Sequence, residues 1–103
     1  AVDYLEKKGY RILERKFRLD RAEIDIIAKD KEQIVFVEVS ARRSKLTGDP
    51  IEPITEAKCR QLWKTAEGYL LKYNLETANY RFDIIAIQYN DNVPDIRHLI
   101  DAF

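Results

Sequence analysis

Two apolar runs rich in β-branched residues, Ile24-Asp25-Ile26-Ile27-Ala28 and Ile34-Val35-Phe36-Val37-Glu38-Val39, flank a short polar segment, Asp30-Lys31-Glu32-Gln33. Runs of this length on either side of a turn predict a β-hairpin over residues 22–30 and 33–41. Each run carries one carboxylate where the pattern asks for hydrocarbon. Pairing Asp30 with Gln33 sets Asp25 across from Glu38, with Cβ atoms about 4.5–5.5 Å apart. Two acids at that separation raise each other's pKa unless a cation sits between them, and divalent magnesium takes oxygen ligands of this kind. The hairpin therefore points to a metal site at Asp25 and Glu38. The competing explanation gives each acid an arginine partner, such as Arg42 or Arg81, in a purely structural pair.

The remaining segments arrange themselves around this hairpin. Val2, Tyr4 and Leu5 before Gly9 fit the last turns of an amphipathic helix, with Lys7 and Lys8 at its C-terminal end and Gly9 as its cap. Tyr10 to Leu19 alternates loosely and predicts a strand with an exposed basic face; the hairpin strands are more apolar and so more central. Residues 42–53 hold Gly48, Pro50 and Pro53 among charges and predict a mobile loop. Ile54 to about Asn74 is the longest periodic segment, with Cys59, Leu62, Trp63, Ala66, Tyr69, Leu70 and Tyr73 on one helical face. Arg60, Lys64, Glu67 and Leu71 lie opposite, and Lys58, Thr65 and Lys72 recur along one flank. Tyr80 to Ile87 predicts another buried strand, and Asp95 to Ile100 a short last one. A strand, a long helix and another strand make a parallel crossover, so the expected architecture is a mixed sheet with helices packed on it, an α/β domain of order α-β-β-β-α-β-β.

The length of 103 residues fits a single domain over 1–103, and 46% hydrophobic with 35% charged residues is ordinary globular composition. No apolar run reaches the roughly 18 residues of a membrane span and no signal peptide opens the chain, so no membrane is expected and the cytoplasm is the expected compartment. The sequence has no Met, and Ala1 falls inside a helix, which reads as a truncated first helix. The single cysteine, Cys59, falls on the apolar stripe of the long helix and reads as a buried thiol rather than a nucleophile. Three scattered glycines cannot form a phosphate loop, and no Cys/His cluster offers a zinc site.

Net charge is zero, but residues 7–21 carry seven positive and two negative side chains and residues 42–64 six positive and three negative. These basic stretches bracket the acidic hairpin. A positive rim around a metal-binding centre suits a phosphodiester, with Arg18, Arg42, Arg43, Lys45 and Lys64 as candidate nucleic-acid contacts. A solvated surface coat is the alternative, and neutral net charge is the one hint of a protein-interaction domain. Asp83 shares a strand face with Arg81 and reads as a structural pair. His98, the only histidine, reads as packing or surface, and Tyr10 as a candidate for base stacking.

Asp25, twelve residues, Glu38, one residue and Ser40 reproduce the acid spacing of the PD-(D/E)xK nuclease motif. Further matches are Tyr4-Leu5, Gly9-Tyr10-Arg11-Ile12-Leu13, Arg18, Glu23-Ile24-Asp25-Ile26-Ile27-Ala28, Phe36-Val37-Glu38-Val39 with Arg42, Lys58, Arg81-Phe82-Asp83, His98 and Ala102-Phe103. Together these resemble, in order and across nearly the whole chain, the bacterial family named for YraN, UPF0102. The resemblance implies a restriction-endonuclease-like three-layer domain, similar to archaeal Holliday junction resolvases, and a Mg2+- or Mn2+-dependent endonuclease acting on structured or branched DNA. It makes Asp25 and Glu38 metal ligands, offers the Val39 carbonyl as a third, and makes Glu23 an outer-shell candidate. A homodimer follows by analogy with resolvases.

Two departures qualify what the resemblance implies. The family has lysine where this chain has Ser40, and serine has neither its charge nor its reach. Lys58, on the helix flank, is the best substitute for that catalytic cation. The resemblance also implies a Gly-Glu pair in the family's first helix just before the Ala1 equivalent, a candidate third acidic ligand that this sequence does not include. The alternative function is therefore a catalytically impaired nucleic-acid-binding domain of the same fold.

Overall fold

The computed structural model describes residues 1–42 and 55–103, the side chains of Arg42 and Asn90 excepted. The chain runs α1 (Val2–Lys7), β1 (Arg11–Leu19), β2 (Ala22–Asp30), β3 (Gln33–Arg42), α2 (Glu56–Lys72), β4 (Asn79–Asn90) and β5 (Val93–Leu99). This is the element order expected from the sequence. The expected loop over 42–53 lies, beyond Arg42, outside the described residues. Among the described residues, five strands form one sheet in the order β1-β2-β3-β4-β5, antiparallel throughout except for the parallel β3–β4 pair.

Each helix ends for a local reason. Gly9, at φ 93°, follows α1 in the left-handed conformation, and the Tyr10 N–H returns to the Leu5 carbonyl at 3.0 Å. Asn74, at φ 55°, does the same after α2, where the Leu75 N–H reaches the Leu70 carbonyl at 2.7 Å. Both are Schellman closures, which satisfy carbonyls that the helix leaves open. α2 starts at Thr55, whose hydroxyl accepts the Lys58 N–H at 3.2 Å.

The helices pack on opposite faces of the sheet. On the α2 side, Leu62, Ala66, Tyr69 and Leu70 meet Phe17, Ile24, Ile27, Phe36 and Phe82; on the α1 side, Leu5 meets Tyr10, Ile26, Val35, Val37 and Ile85. Each large side chain fully buried in these layers contributes about 1.5–3 kcal/mol. A Cβ at Gly68 would collide with the Leu19 side chain, so glycine lets α2 approach the end of β1. Among the described residues no helix is long and apolar enough to cross a membrane.

Three side chains depart from their expected places. Trp63 and Tyr73 are 42% and 45% exposed rather than core. The stripe through Cys59, Leu62, Ala66, Tyr69 and Leu70 is full without Trp63, and buried Thr65 closes its other flank by donating to the Gln61 carbonyl at 2.8 Å. Tyr73 is the C-cap, past the last turn. Tyr10 is buried and its hydroxyl accepts from Arg81 Nη2 at 2.7 Å, so it cannot stack on a base.

Asp83 is the polar anchor of the α1-side layer. It is fully buried and accepts from Arg81 Nε at 2.9 Å and the Asp101 N–H at 3.0 Å, with His98 Nε2 2.7 Å away. The expected Arg81–Asp83 pair is present, and of the two expectations for His98, packing or surface, the first holds: its side chain is buried between Asp83 and the Tyr4 hydroxyl, which lies 3.5 Å from its Nδ1. Arg81 also donates to Gln33 Oε1 at 2.8 Å and to Asp30 Oδ2 at 3.3 Å, tying β4 to the hairpin turn. Burial alone would push the Asp83 carboxyl up, but hydrogen bonds from Arg81, Asp101 and His98 outweigh it and hold the carboxyl below its ordinary value.

Asp83→Asn should therefore cost on the order of 3 kcal/mol, because it removes the nearer and fully buried counter-ion of Arg81 and leaves it, among the described residues, only the Asp30 carboxylate at 3.3 Å. Urea denaturation at neutral pH measures this. A depressed carboxyl stabilises the fold above its unfolded pKa and the gain is lost in acid, so the parent's advantage over the variant should shrink as the pH falls below 3.8.

Candidate functional site

The hairpin register is the one its turn implies, running from Asp30↔Gln33 to Ile26↔Val37. There the β2–β3 ladder stops, while β3 continues beside β4 as far as Arg42. The Val39 N–H, left without a strand partner on that side, donates to Asp25 Oδ2 at 2.8 Å. A side-chain oxygen thus satisfies a backbone donor where the strands fork.

Strand alternation breaks at the same level. Ile24 belongs to the α2-side core and Ile26 to the α1-side core, although residues two apart on a regular strand share a face. On β1, Phe17 is in register with Ile24 and Arg15 with Ile26, so Lys16 lies level with Asp25. Lys16 has φ 52°. A side chain in that left-handed region costs roughly 1–2 kcal/mol.

Glu38 lies on the α2 side, among Ile24, Phe36, Leu62, Phe82 and Phe103, with its side chain 15% exposed. Burial, then a hydrogen bond and charge repulsion from Asp25, push its carboxyl up from 4.5 to about 8; Lys58 opposes them only in part. Lys58 Nζ is 3.7 Å from Glu38 Oε2, an ion-pair distance but too long for a hydrogen bond. Glu38 Oε2 is consequently buried without a hydrogen-bond partner among the described residues. Neither acid has an arginine partner among those residues, since Arg81 is committed to Asp83 and the hairpin turn.

The fold thus brings together Asp25, Glu38 and Lys58, with Val39 bound to Asp25 through its N–H. Ser40 is half-buried on β3, in register with Ala86 and, by strand alternation, on the Glu38 face. Arg18 is exposed and pairs with Glu23 at 2.6 Å, which turns Glu23 toward the surface rather than toward Asp25. Lys64 is exposed beside the β1–β2 turn, well along α2 from Lys58. Arg43, Lys45 and the Arg42 side chain lie outside the described residues. Among the described residues no group of three or more His, Cys, Asp or Glu side chains converges.

Beside the fork is an open pocket of about 470 Å³, lined by Arg15, Lys16, Asp25, Ile26, Val39 and the first residues of α1. Arg15 and Lys16 were not singled out by the sequence, in which they are two of many cations on β1. Two carboxylates, one with a buried oxygen lacking a partner, suit a hard divalent ion that retains several of its waters.

Fold and site define a mixed α/β domain with a pair of interacting acids where two central strands part. Residues 1–87 match the profile described as uncharacterised protein family UPF0102. Over its whole length the chain is 44% identical to a UPF0102 protein of Clostridium kluyveri, covering 86% of it, and 47% identical to one of Geotalea uraniireducens, covering 82%. Over 98% of its length it is 48% identical to a UPF0102 protein of Persephonella marina, covering 86% of that relative. The chain belongs to the UPF0102 family.

The raised Glu38 carboxyl makes a signed prediction for metal-free protein. Between 4.5 and about 8 the folded state holds a proton that the unfolded state has lost, so stability falls as pH rises through that window. Glu38→Gln should remove this dependence and, in EDTA at pH 8, stabilise the protein by on the order of 2 kcal/mol, because a tenfold difference in proton affinity corresponds to about 1.4 kcal/mol. Urea titrations of both proteins at pH 5 and pH 8 measure it.

Proposed function

We propose that this domain is a Mg2+- or Mn2+-dependent endonuclease of the restriction-endonuclease-like, PD-(D/E)xK class, acting on structured or branched DNA and similar to archaeal Holliday junction resolvases. The observation that carries the proposal is the Asp25–Glu38 pair, two acids in contact with a lysine beside them and no arginine among the described residues. Two acids in contact in a partly apolar crevice cost the fold, through repulsion or a retained proton, unless a cation is part of their working state.

In this reading Asp25 and Glu38 hold the ion, with the Val39 carbonyl as a further oxygen. When bound there, such an ion would supply Lewis-acid chemistry, activating a water and offsetting charge on the phosphate. Asp25 is oriented by the Val39 N–H, so the carboxylate oxygen not engaged there is aimed by the backbone. Lys58 takes the part of the motif lysine: its ammonium, 3.7 Å from Glu38, supplies from α2 the positive charge that Ser40 lacks on β3. There it orients the attacking water and stabilises the developing charge. Two copies acting together would match the two-fold symmetry of a junction.

Ser40 itself favours a second reading, a domain that binds nucleic acid without turnover. Cleavage assays on forked, four-way and linear DNA separate the two. The intact protein should cut with Mg2+ or Mn2+ and not with EDTA, and Lys58→Ala should lose about 10²–10⁴-fold in rate. Calorimetry should show metal binding that vanishes in Asp25→Ala. Salt-sensitive DNA binding with no cleavage by the parent, and cutting only in Ser40→Lys, would establish binding without turnover instead.

A further inference from the structure

Seven described residues other than glycine have positive φ, and six of them, Asp20, Lys31, Asn74, Asp91, Asn92 and Asp101, stand in turns. Lys16 alone of these lies inside a strand. Lysine has no short polar side chain to ease the left-handed conformation, as Asn or Asp has. Its effect on the surface is specific. Consecutive residues of a regular strand point to opposite faces, yet Arg15 and Lys16 line the same pocket, together with Asp25 and Val39. Both cations are exposed, and among the described residues neither forms an ion pair, although Asp3 and Asp25 line that pocket too. Two adjacent positive charges are thus turned to one side, beside the candidate metal ligands, and left available.

From this juxtaposition we infer that Arg15 and Lys16 form a phosphate-binding subsite on the α1 side of the fork, which holds the DNA backbone next to the phosphate at Asp25 and Glu38. The inference rests on the proposed nuclease-like function and adds to it the surface along which the strand runs. Arg15 offers a planar fork of donors and Lys16 a compact charge, both suited to non-esterified phosphate oxygens. Contacts of this kind to phosphate position the backbone and carry no sequence information.

A purely structural role competes with this: the left-handed residue also lets Phe17 turn into the α2-side core. Glycine at position 16 separates the two, since it adopts positive φ freely and removes the cation. The measurement is equilibrium binding of a four-way DNA junction to the intact protein in EDTA over a salt series, with thermal midpoints alongside. Lys16→Gly should keep or raise the thermal midpoint, weaken binding about tenfold and reduce the slope of log affinity against log salt by about one. Lys16→Arg should restore both. If glycine disturbs the strand, Lys16→Asn, which tolerates the same conformation, should give the same losses. Unchanged affinity and slope in a folded Lys16→Gly or Lys16→Asn, with the parent binding normally, would overturn the subsite and leave the nuclease reading standing. Absence of salt-dependent binding by the parent would overturn both.

Discussion

Glu38 and Asp83 show what decides the fate of an acid in this interior. Both are set into hydrocarbon on central strands, and burial pushes both carboxyls upward. Asp83 accepts from both Arg81 nitrogens that face it, from the Asp101 N–H and from His98, and is held ionised. Glu38 has one cation at 3.7 Å and a second carboxyl against it, and it keeps its proton to about 8. The number of donors, not the depth of burial, separates a closed structural charge from an open one. A saturated carboxylate has nothing left to offer a ligand, whereas an acid raised by burial and then by an acidic neighbour gains from an ion that replaces its proton.

The open pair depends on the fork. β3 stays hydrogen-bonded to β4 through Arg42, so it cannot follow β2 when the hairpin ladder ends at Ile26 and Val37. β2 stays with β1 down to Ala22, so the sheet parts between its two central strands. Parting would strand the Val39 N–H, and the Asp25 carboxylate takes its place. The same break moves Ile24 to the opposite face from Ile26, and Phe17 goes with its partner Ile24. Two strands that change face together keep both cores filled on either side of the break. Lys16 carries the backbone cost of that change on β1.

Much of this was legible in residue pattern because the signals were local. The turn at Asp30–Gln33 set the register, Gly9 marked the end of α1, and the spacing from Cys59 to Leu70 marked the buried face of α2. What could not be read required knowledge of distant partners or of backbone angles. His98 looked isolated because Asp83 and Tyr4 are far from it in sequence. Tyr10 looked available because nothing in a strand pattern shows that Arg81 will cover its hydroxyl. Trp63 has the spacing of a core residue, and only the width of the packed face, already closed by Thr65, leaves it outside. Lys16 gave no signal at all, since no propensity points to a left-handed lysine within a strand. The acids were legible as an anomaly in hydrophobic runs; the fork that gives them their arrangement was not.

Lys58 brings a positive charge to Glu38 from a different element than Ser40, with its Nζ 3.7 Å from Glu38 Oε2. Residue 40 shares the Glu38 face of β3 by alternation, so a lysine there would extend along the strand past Glu38 toward the same crevice. Lys58 reaches Glu38 from the first turn of a helix that packs over that face, next to buried Cys59 and three residues after the Thr55 cap. A cation in a first turn opposes the helix dipole, which a facing carboxylate offsets. The capped turn and the core contact of Cys59 fix its backbone, so the cost of closing on Glu38 is that of ordering the side-chain torsions, about 1.5–2 kcal/mol for a lysine. Serine at position 40 leaves the strand without a competing charge. With serine on the strand and Lys58 on the helix, one positive charge stands at the acid pair among the described residues.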